Sequence, residues 1–261
     1  MRPAVPAAEP RGAVLHYSGR SLPAACRLCR PTGSPYSHGS SLATVSTRVL
    51  TVSPFSALQV QRDLGVAPDK VSVMTLPVDE ARATRIHAAR SAHQGDPLVL
   101  YVGRYAEHKN LPALARAFQR TSFARNGGQL QFVGGSEGEA KRLRRWMHAQ
   151  GISSTVVGSY CSEEELDRLL VRTQALVMPS LEEGYGLPAF EAAAAGVPVA
   201  ASRTGAMTEL PPEVAVLFDA RSENQMTQAI DLATARPRVG PRFFPASTLA
   251  STLSQIVREI L

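Results

Sequence analysis

Met178-Pro-Ser-Leu-Glu-Glu-Gly-Tyr-Gly-Leu-Pro-Ala-Phe-Glu-Ala-Ala-Ala-Ala-Gly196 turns a strand into a helix and carries two acids, Glu183 and Glu191, with seven residues between them. The apolar run Ala175-Leu-Val-Met178 that feeds it reads as a buried strand, and Val199-Ala-Ala-Ser202 reads as the next one. Pro188 suits the first helical position, where its missing N–H costs nothing. Gly184 and Gly186 let the backbone approach a ligand closely. Amides at a helix start cradle an anion such as a phosphate. Acids beside a phosphate cradle suit a ligand that carries both hydroxyls and a phosphate, and a nucleotide sugar is such a ligand.

The same strand–loop–helix texture extends outward from this stretch. Upstream, Leu98–Val102, Leu130–Val133 and Thr155–Val157 read as strands. They alternate with helices over Leu111–Gln119, from Ser136 to about Gln150, and from Ser162 to about Arg172. Ser136 with Glu139, and Ser162 with Glu165, are capping-box pairs. Downstream, Val214–Phe218 reads as a strand, and Ser222 with Gln225 starts a helix to about Ala235. This alternation defines an α/β fold, a doubly wound parallel sheet covered by helices on both faces. Ligands of such sheets sit beyond the carboxyl ends of the strands.

Before this region the reading is of shorter pieces. Residues 1–45 are rich in Pro, Gly, Ser and Arg without a clear period, and read as an irregular or poorly ordered segment. Val49–Val52 and Val71–Leu76 read as strands, with a helix from Phe55 to about Leu64 between them. Asp79–Asp96 reads as a linker or linker helix. The expected divisions are 1–45, a partial lobe with its linker at 46–95, the ligand-binding domain at 96–240, and a C-terminal helix at 241–261.

Composition narrows the classes. The chain has 261 residues, 44% of them hydrophobic, which is ordinary for a globular protein. No apolar run approaches the roughly 18 residues that a spanning helix needs. The first ten residues lack the apolar core of a signal peptide, and three cysteines are too few for a disulfide framework, so a cytoplasmic location is expected. The net charge is +6, and part of it lies in Lys141-Arg-Leu-Arg-Arg-Trp146. That cluster reads as a solvated helix face or as a place for peripheral membrane contact. No nucleic-acid partner is expected, because basic and aromatic residues do not interleave. Cys26-Arg-Leu-Cys29 has metal-like spacing but no second pair, so no metal site is expected.

The loops after the strands hold the remaining candidates. Gly103-Arg104 and Lys109-Asn110 place two cations in one strand-to-helix loop. A diphosphate leaving group gains charge in the transition state, and fixed cations stabilise it there. Gly134-Gly135 allows close approach of a ligand or forms a tight turn. Tyr160 either stacks on a nucleobase or packs half-buried.

Taken in order, Val52-Ser-Pro-Phe-Ser56, Gly103-Arg104 with Lys109-Asn110, Pro179-Ser180 with Glu183-Gly-Tyr-Gly-Leu-Pro188, and Glu191-Ala with Gly196-Val-Pro-Val199 resemble the retaining GT-B glycosyltransferases of the family 4, or group 1, type. The resemblance runs from about Ser46 to the C-terminus. It implies a hexosyltransferase that moves a mannose- or glucose-type sugar from a GDP-sugar or UDP-sugar to a glycan, lipid-linked or small-molecule acceptor, with retention. Arg104 and Lys109 would hold the diphosphate, with Gly103 beside them, and would replace a metal. Glu183 would meet the transferred sugar as an orienting residue, unlike the flanking carboxyl pair of a glycosidase. Glu191 would bind ribose, the amides of Gly184, Tyr185, Gly186 and Leu187 would meet phosphate and sugar, and Tyr160 would lie by the base.

The family also has an N-terminal acceptor lobe with a glycine-rich loop and often a histidine. Here the residues before the donor domain are about half of such a lobe, and neither His16 nor His38 is assigned to that role. The reading is therefore a shortened first lobe. The alternative is a non-catalytic nucleotide-sugar-binding module, or one half of a two-chain enzyme whose partner chain supplies the acceptor lobe. Phe243–Leu261 resembles the family's final helix.

Overall fold

Val14–Tyr17 (β1), Arg48–Thr51 (β2) and Val71–Val73 (β3) form a parallel three-stranded sheet in the order β1-β2-β3. The computed structural model describes residues 14–17, 48–93, 96–237 and 240–242. Between β2 and β3 runs the helix Pro54–Leu64 (α1). Ser53 caps it by accepting the Ser56 amide at 3.0 Å, and Gly65 ends it in the left-handed conformation, which costs glycine little. Val49 and Val60 pack with Val66 to form a small core. These elements belong to a smaller unit, Met1–Leu76 with Ala246–Leu261, and the rest, Pro77–Pro245, is a larger unit.

The reading of residues 1–45 needs correction here. β1 lies inside residues 1–45, which read as irregular. Its four residues are too few to display a period, and they are strand because they pair in register with β2, Val14 opposite Arg48 and Tyr17 opposite Thr51. The segment read as a linker or linker helix is a helix, Glu80–Ala92 (α2), capped by Asp79, and it falls within the larger unit, Pro77–Pro245. Ala83, Ile86 and Arg90 of α2 are buried, so the helix is part of the larger unit's core. The third strand is also shorter than expected, ending at Val73. Cys26, Cys29, His38 and the tail from Phe243 lie outside the described residues, as does the side chain of His16.

The larger unit is built on Leu98–Val102 (β4), Gln129–Val133 (β5), Thr155–Val157 (β6), Ala175–Met178 (β7), Val199–Ser202 (β8) and Ala215–Phe218 (β9). All pair in parallel, in the order β6-β5-β4-β7-β8-β9. The central strands are continuous apolar runs because helices cover both faces of the sheet. Those helices are Leu111–Gln119 (α3), Ser122–Arg125 (α4), Glu137–Ala149 (α5), Glu163–Arg172 (α6), Leu187–Ala194 (α7) and Glu223–Ala235 (α8). Both expected capping boxes are formed, at Ser136 with Glu139 and at Ser162 with Glu165. In α7 the buried Ala189, Ala192, Ala193 and Ala194 present no long side chain to the sheet. Arg90 fastens α2 to α6: its buried guanidinium donates to the carbonyls of Leu170 and Thr173, where the negative end of the helix dipole lies.

The order of the strands reverses between β4 and β7. β4 leads outward to β5 and β6, and β7 leads the other way to β8 and β9. The loops after β4 and β7 therefore diverge and leave a crevice at the carboxyl edge of the sheet, the position where such sheets take ligands.

Candidate functional site

Lys109 and Glu183 meet at this switch point. Lys109 ends a short 3-10 turn, Glu107–Lys109, after β4. The turn is held by Asn110, which has φ 57° and donates from Nδ2 to the Ala220 carbonyl at 2.8 Å. Asn is among the few side chains that accept this left-handed conformation. Lys109 Nζ donates to Glu183 Oε2 at 2.5 Å, with the two side chains only 14% and 13% exposed. Ser180 Oγ donates to the same Glu183 oxygen at 3.1 Å. Ser202 Oγ in turn donates to the Ser180 carbonyl at 2.7 Å. The Leu181 amide bonds the His108 carbonyl at 2.8 Å, so the loops after β4 and β7 are tied through backbone as well. Burial and the neighbouring Lys109 hold the His108 imidazole below its ordinary pKa.

Glycines make this crowding geometrically feasible. Gly186, the residue before α7, has φ 84°, and a Cβ there would lie 2.9 Å from Met207 Cγ. Gly205, after β8, has φ 61°, and its Cβ would lie 2.2 Å from the Glu183 carbonyl oxygen. No side chain caps the N-terminus of α7, which begins at Leu187 with Pro188 as its second residue. Tyr185 turns inward and stacks on Phe190 at 4.6 Å, and burial pushes its phenol up to about 12. Only its backbone is therefore available to a ligand at the crevice.

The Gly134-Gly135 pair is explained by the protein's own packing. A Cβ on Gly134 would sit 2.9 Å from the Gly103 carbonyl oxygen, and one on Gly135 would sit 2.3 Å from the Tyr105 ring. Tyr105 reaches across β5 and donates to the Gly158 carbonyl at 2.5 Å. Tyr101 Oη donates to the Arg104 carbonyl at 2.8 Å, which fixes the start of the β4 loop at Gly103. The Arg104 side chain projects outward and makes no hydrogen bond or ion pair among the described residues. Tyr160, after β6, is 80% exposed, so it does not pack half-buried.

Glu191 lies on the other side of α7, facing α2 and α6. Its Oε1 is 3.2 Å from Arg82 Nη1, and Arg82 Nε donates to Asp167 Oδ1 at 2.7 Å. Arg82 Nη2 is 2.7 Å from the same Asp167 oxygen but is not aimed at it as a donor, so this buried nitrogen has no hydrogen-bond acceptor. Burial raises the Glu191 pKa, Arg82 opposes the rise, and Glu163 and Asp167 add to it.

The structure thus joins Lys109 with Glu183, next to Gly184, Gly186 and Leu187 in the same loop-to-helix junction, while Arg104 and Tyr160 are exposed on the loops after β4 and β6. It pairs Glu191 with Arg82. Reading the sequence passed over Arg82, Tyr105 and Gly205, whose roles depend on partners distant in the chain. A cavity of about 270 Å³ opens beside this cluster, over the ends of β8 and β9, lined by Leu181, Ser202, Arg203, Thr204, Asp219, Ala220 and Arg221. Among the described residues, no group of three or more His, Cys, Asp or Glu side chains could hold a metal ion, and no helix is long and apolar enough to cross a membrane.

A Rossmann-like parallel sheet with its loop cluster at the switch point is the α/β arrangement of the GT-B glycosyltransferases. Sucrose-phosphate synthase from Thermosynechococcus elongatus superimposes with a TM-score of 0.70 at 23% identity, over 85% of this chain and 60% of that one. Anabaena HepE in complex with UDP and glucose gives 0.66 at 15% identity, over 95% of this chain and 72% of that one. At these identities the likeness is one of fold.

The family model described as Glycosyl transferases group 1 matches residues 83–238, more than half of the chain. This chain belongs to that family. MMP alpha-(1->4)-mannosyltransferase of Mycolicibacterium hassiacum is 34% identical over 165 residues, which are 62% of this chain and 38% of the relative. Glycogen synthase of Mycobacterium tuberculosis is 29% identical over 168 residues, 64% of this chain and 40% of the relative. The chain spans less than half the length of either relative.

Proposed function

We propose that the larger unit holds the donor of a retaining hexosyltransferase, a GDP-sugar or UDP-sugar carrying mannose or glucose. The observation that carries this reading is the Lys109–Glu183 pair at the switch point, next to the uncapped N-terminus of α7. In this reading the diphosphate lies at Lys109, Arg104 and the first amides of α7, where cations and the helix dipole oppose its charge. The sugar hydroxyls meet Glu183, the ribose meets Glu191, and the base stacks on Tyr160. The C1–O bond to the diphosphate breaks as the acceptor hydroxyl attacks the same face. The departing phosphate oxygen takes the hydroxyl proton, and Lys109 and Arg104 stabilise the charge left on the diphosphate. Glu183 orients the sugar and stabilises positive charge developing at C1.

Calorimetric titration of the whole chain with GDP and UDP tests the reading. Saturable binding of one nucleotide is expected, together with a rise in Tm that grows with its concentration. No binding of either would remove the donor assignment.

A second reading is a donor-binding module that needs another chain for transfer. It is favoured by the placement of every candidate residue within Pro77–Pro245. Nucleotide binding without hydrolysis or transfer of the matching nucleotide sugar, across a panel of acceptors, would select it.

A further inference from the structure

The end of β6 and the loop after it, Val157-Gly158-Ser159-Tyr160, are held by three donors from three different elements. Arg144 of α5 donates from Nη1 to the Val157 carbonyl at 2.9 Å. Tyr105 donates from Oη to the Gly158 carbonyl at 2.5 Å. The Gly134 amide, after β5, donates to the Ser159 carbonyl at 3.1 Å. The Gly158 amide in turn bonds the Phe132 carbonyl at 2.8 Å. The backbone is therefore anchored up to the residue before Tyr160, whose own side chain is exposed.

Of these donors, only Tyr105 comes from the loop that also carries Arg104 and Lys109. A tyrosine that packs its ring and satisfies its hydroxyl is ordinary in a core. Here, however, the bond passes over β5, from the loop after β4 to the loop after β6. The ring itself is wedged in place. A Cβ on Gly135 would meet it at 2.3 Å, the Phe132 ring meets it edge-on with centroids 6.4 Å apart, and the Tyr101 ring lies at 6.3 Å. Tyr101 Oη holds the Arg104 carbonyl, so the Arg104–Tyr105 segment is tied on both sides. Burial pushes the Tyr105 phenol well above its ordinary pKa, which keeps the proton that it donates to Gly158.

We propose that Tyr105 is a positioning residue whose hydroxyl sets the spacing between the loop of Arg104 and Lys109 and the loop of Tyr160, so that the diphosphate and the base of one nucleotide are met together. This rests on the donor reading given above, which assigns the diphosphate to the first loop and the base to the second. Loops that keep their bound form when empty lose less entropy on binding. A ligand with two linked ends binds best when the distance between its two sites matches its own span. Without the Tyr105 hydroxyl, the Gly158 carbonyl loses its donor, and the loop of Tyr160 is released from the loop of the cations. Arg104 keeps its backbone tie to Tyr101, and Lys109 keeps its bond to Glu183.

The test titrates the full chain by calorimetry with GDP and UDP and carries the tighter binder through a double-mutant cycle. Tyr105→Phe keeps the ring and removes only the hydroxyl, and nucleotide affinity should fall about threefold to tenfold, the worth of one hydrogen bond. Tyr160→Ala should lower it about tenfold or more, as when a stacked base loses its aromatic partner. In the double variant, the loss from Tyr105→Phe should be a smaller factor than in the parent, because the ring that the spacing serves is gone. A hydroxyl with a merely structural role would show no such coupling. Gly135→Ala, whose Cβ drives the Tyr105 ring aside, should give the same pattern by a second route. Circular dichroism and Tm serve as the control for folding. Parent-like affinity in folded Tyr105→Phe, or the same factor lost with and without Tyr160, would overturn the positioning role and leave the donor reading standing. Parent-like affinity in Tyr160→Ala would take the base away from Tyr160 and the role of Tyr105 with it. No binding of either nucleotide by the parent chain would overturn the donor reading and this inference together.

Discussion

Lys109 and Glu183 form a nearly enclosed ion pair at 2.5 Å, although they lie 74 residues apart and on loops that leave the sheet in opposite directions. The pair exists because β4 and β7 are neighbours at the point where the strand order reverses. A carboxylate and an ammonium held there can serve two parts of one ligand, its hydroxyls and its phosphates.

Replacing Lys109 by Ala removes the cation proposed for the diphosphate. Nucleoside diphosphate affinity should fall by about 1.5–3 kcal/mol, the scale of hydrogen bonds to charged groups. Calorimetry of the variant checks this, and an unchanged affinity would remove Lys109 from the phosphate site.

Glu183→Gln keeps the shape of the side chain and its ability to accept from Ser180 while removing the charge. Transfer from the nucleotide sugar should be lost, and nucleoside diphosphate binding should remain within a few-fold of the parent. Loss of nucleotide binding as well would place Glu183 on the nucleotide rather than on the sugar.

Arg82→Met takes away the cation that opposes the burial of Glu191. With Asp167 and Glu163 still facing it, the Glu191 pKa, already raised, should rise further. A carboxylate with a raised folded-state pKa holds its proton to higher pH than the unfolded chain does, so stability falls as pH rises through that window. If ribose hydroxyls need the ionised form of Glu191, nucleotide affinity should begin to fall at a higher pH in the variant than in the parent. Affinity measured against pH shows the displacement, and the Arg82→Met/Glu191→Gln double variant should lack it. Identical pH profiles for parent and Arg82→Met would disconnect Arg82 from nucleotide binding.

Gly205→Ala should destabilise the larger unit by about 2 kcal/mol or more and lower Tm by several degrees. Its φ of 61° is unfavourable for alanine, and the new Cβ would meet the Glu183 carbonyl at 2.2 Å. Gly127→Ala is the control, since φ there is also positive, at 86°, but nothing lies within 4 Å of the new atom. Equal losses of Tm in the two variants would show that backbone conformation, not the contact with the Glu183 loop, sets the cost.

The legible part of this fold was local. Ser136 with Glu139 and Ser162 with Glu165 announced their helices because both bonding partners lie within one turn. The runs Leu98–Val102 and Ala175–Met178 announced buried strands because a sheet covered on both faces needs apolar side chains throughout. The four-residue strand β1 was not legible, since its conformation comes from pairing with β2 rather than from its own pattern. The segment of α2, basic and rich in alanine, read as a linker or linker helix, and only packing decided that its Arg90 is buried against carbonyls about 80 residues away.

The candidate site divides in the same way. The chain alone determined that cations follow β4, that acids flank the start of α7, and that glycines stand where backbones come close, because each is a matter of residue type against a neighbouring element. Only the tertiary structure decided that Lys109 holds Glu183, that Arg82 holds Glu191 across 109 residues, and that Gly135 accommodates Tyr105. Those pairings depend on the order of the strands and the packing of helices between them. Parallel strands are joined by long crossovers, so their partners are set by how the sheet assembles and not by proximity along the chain.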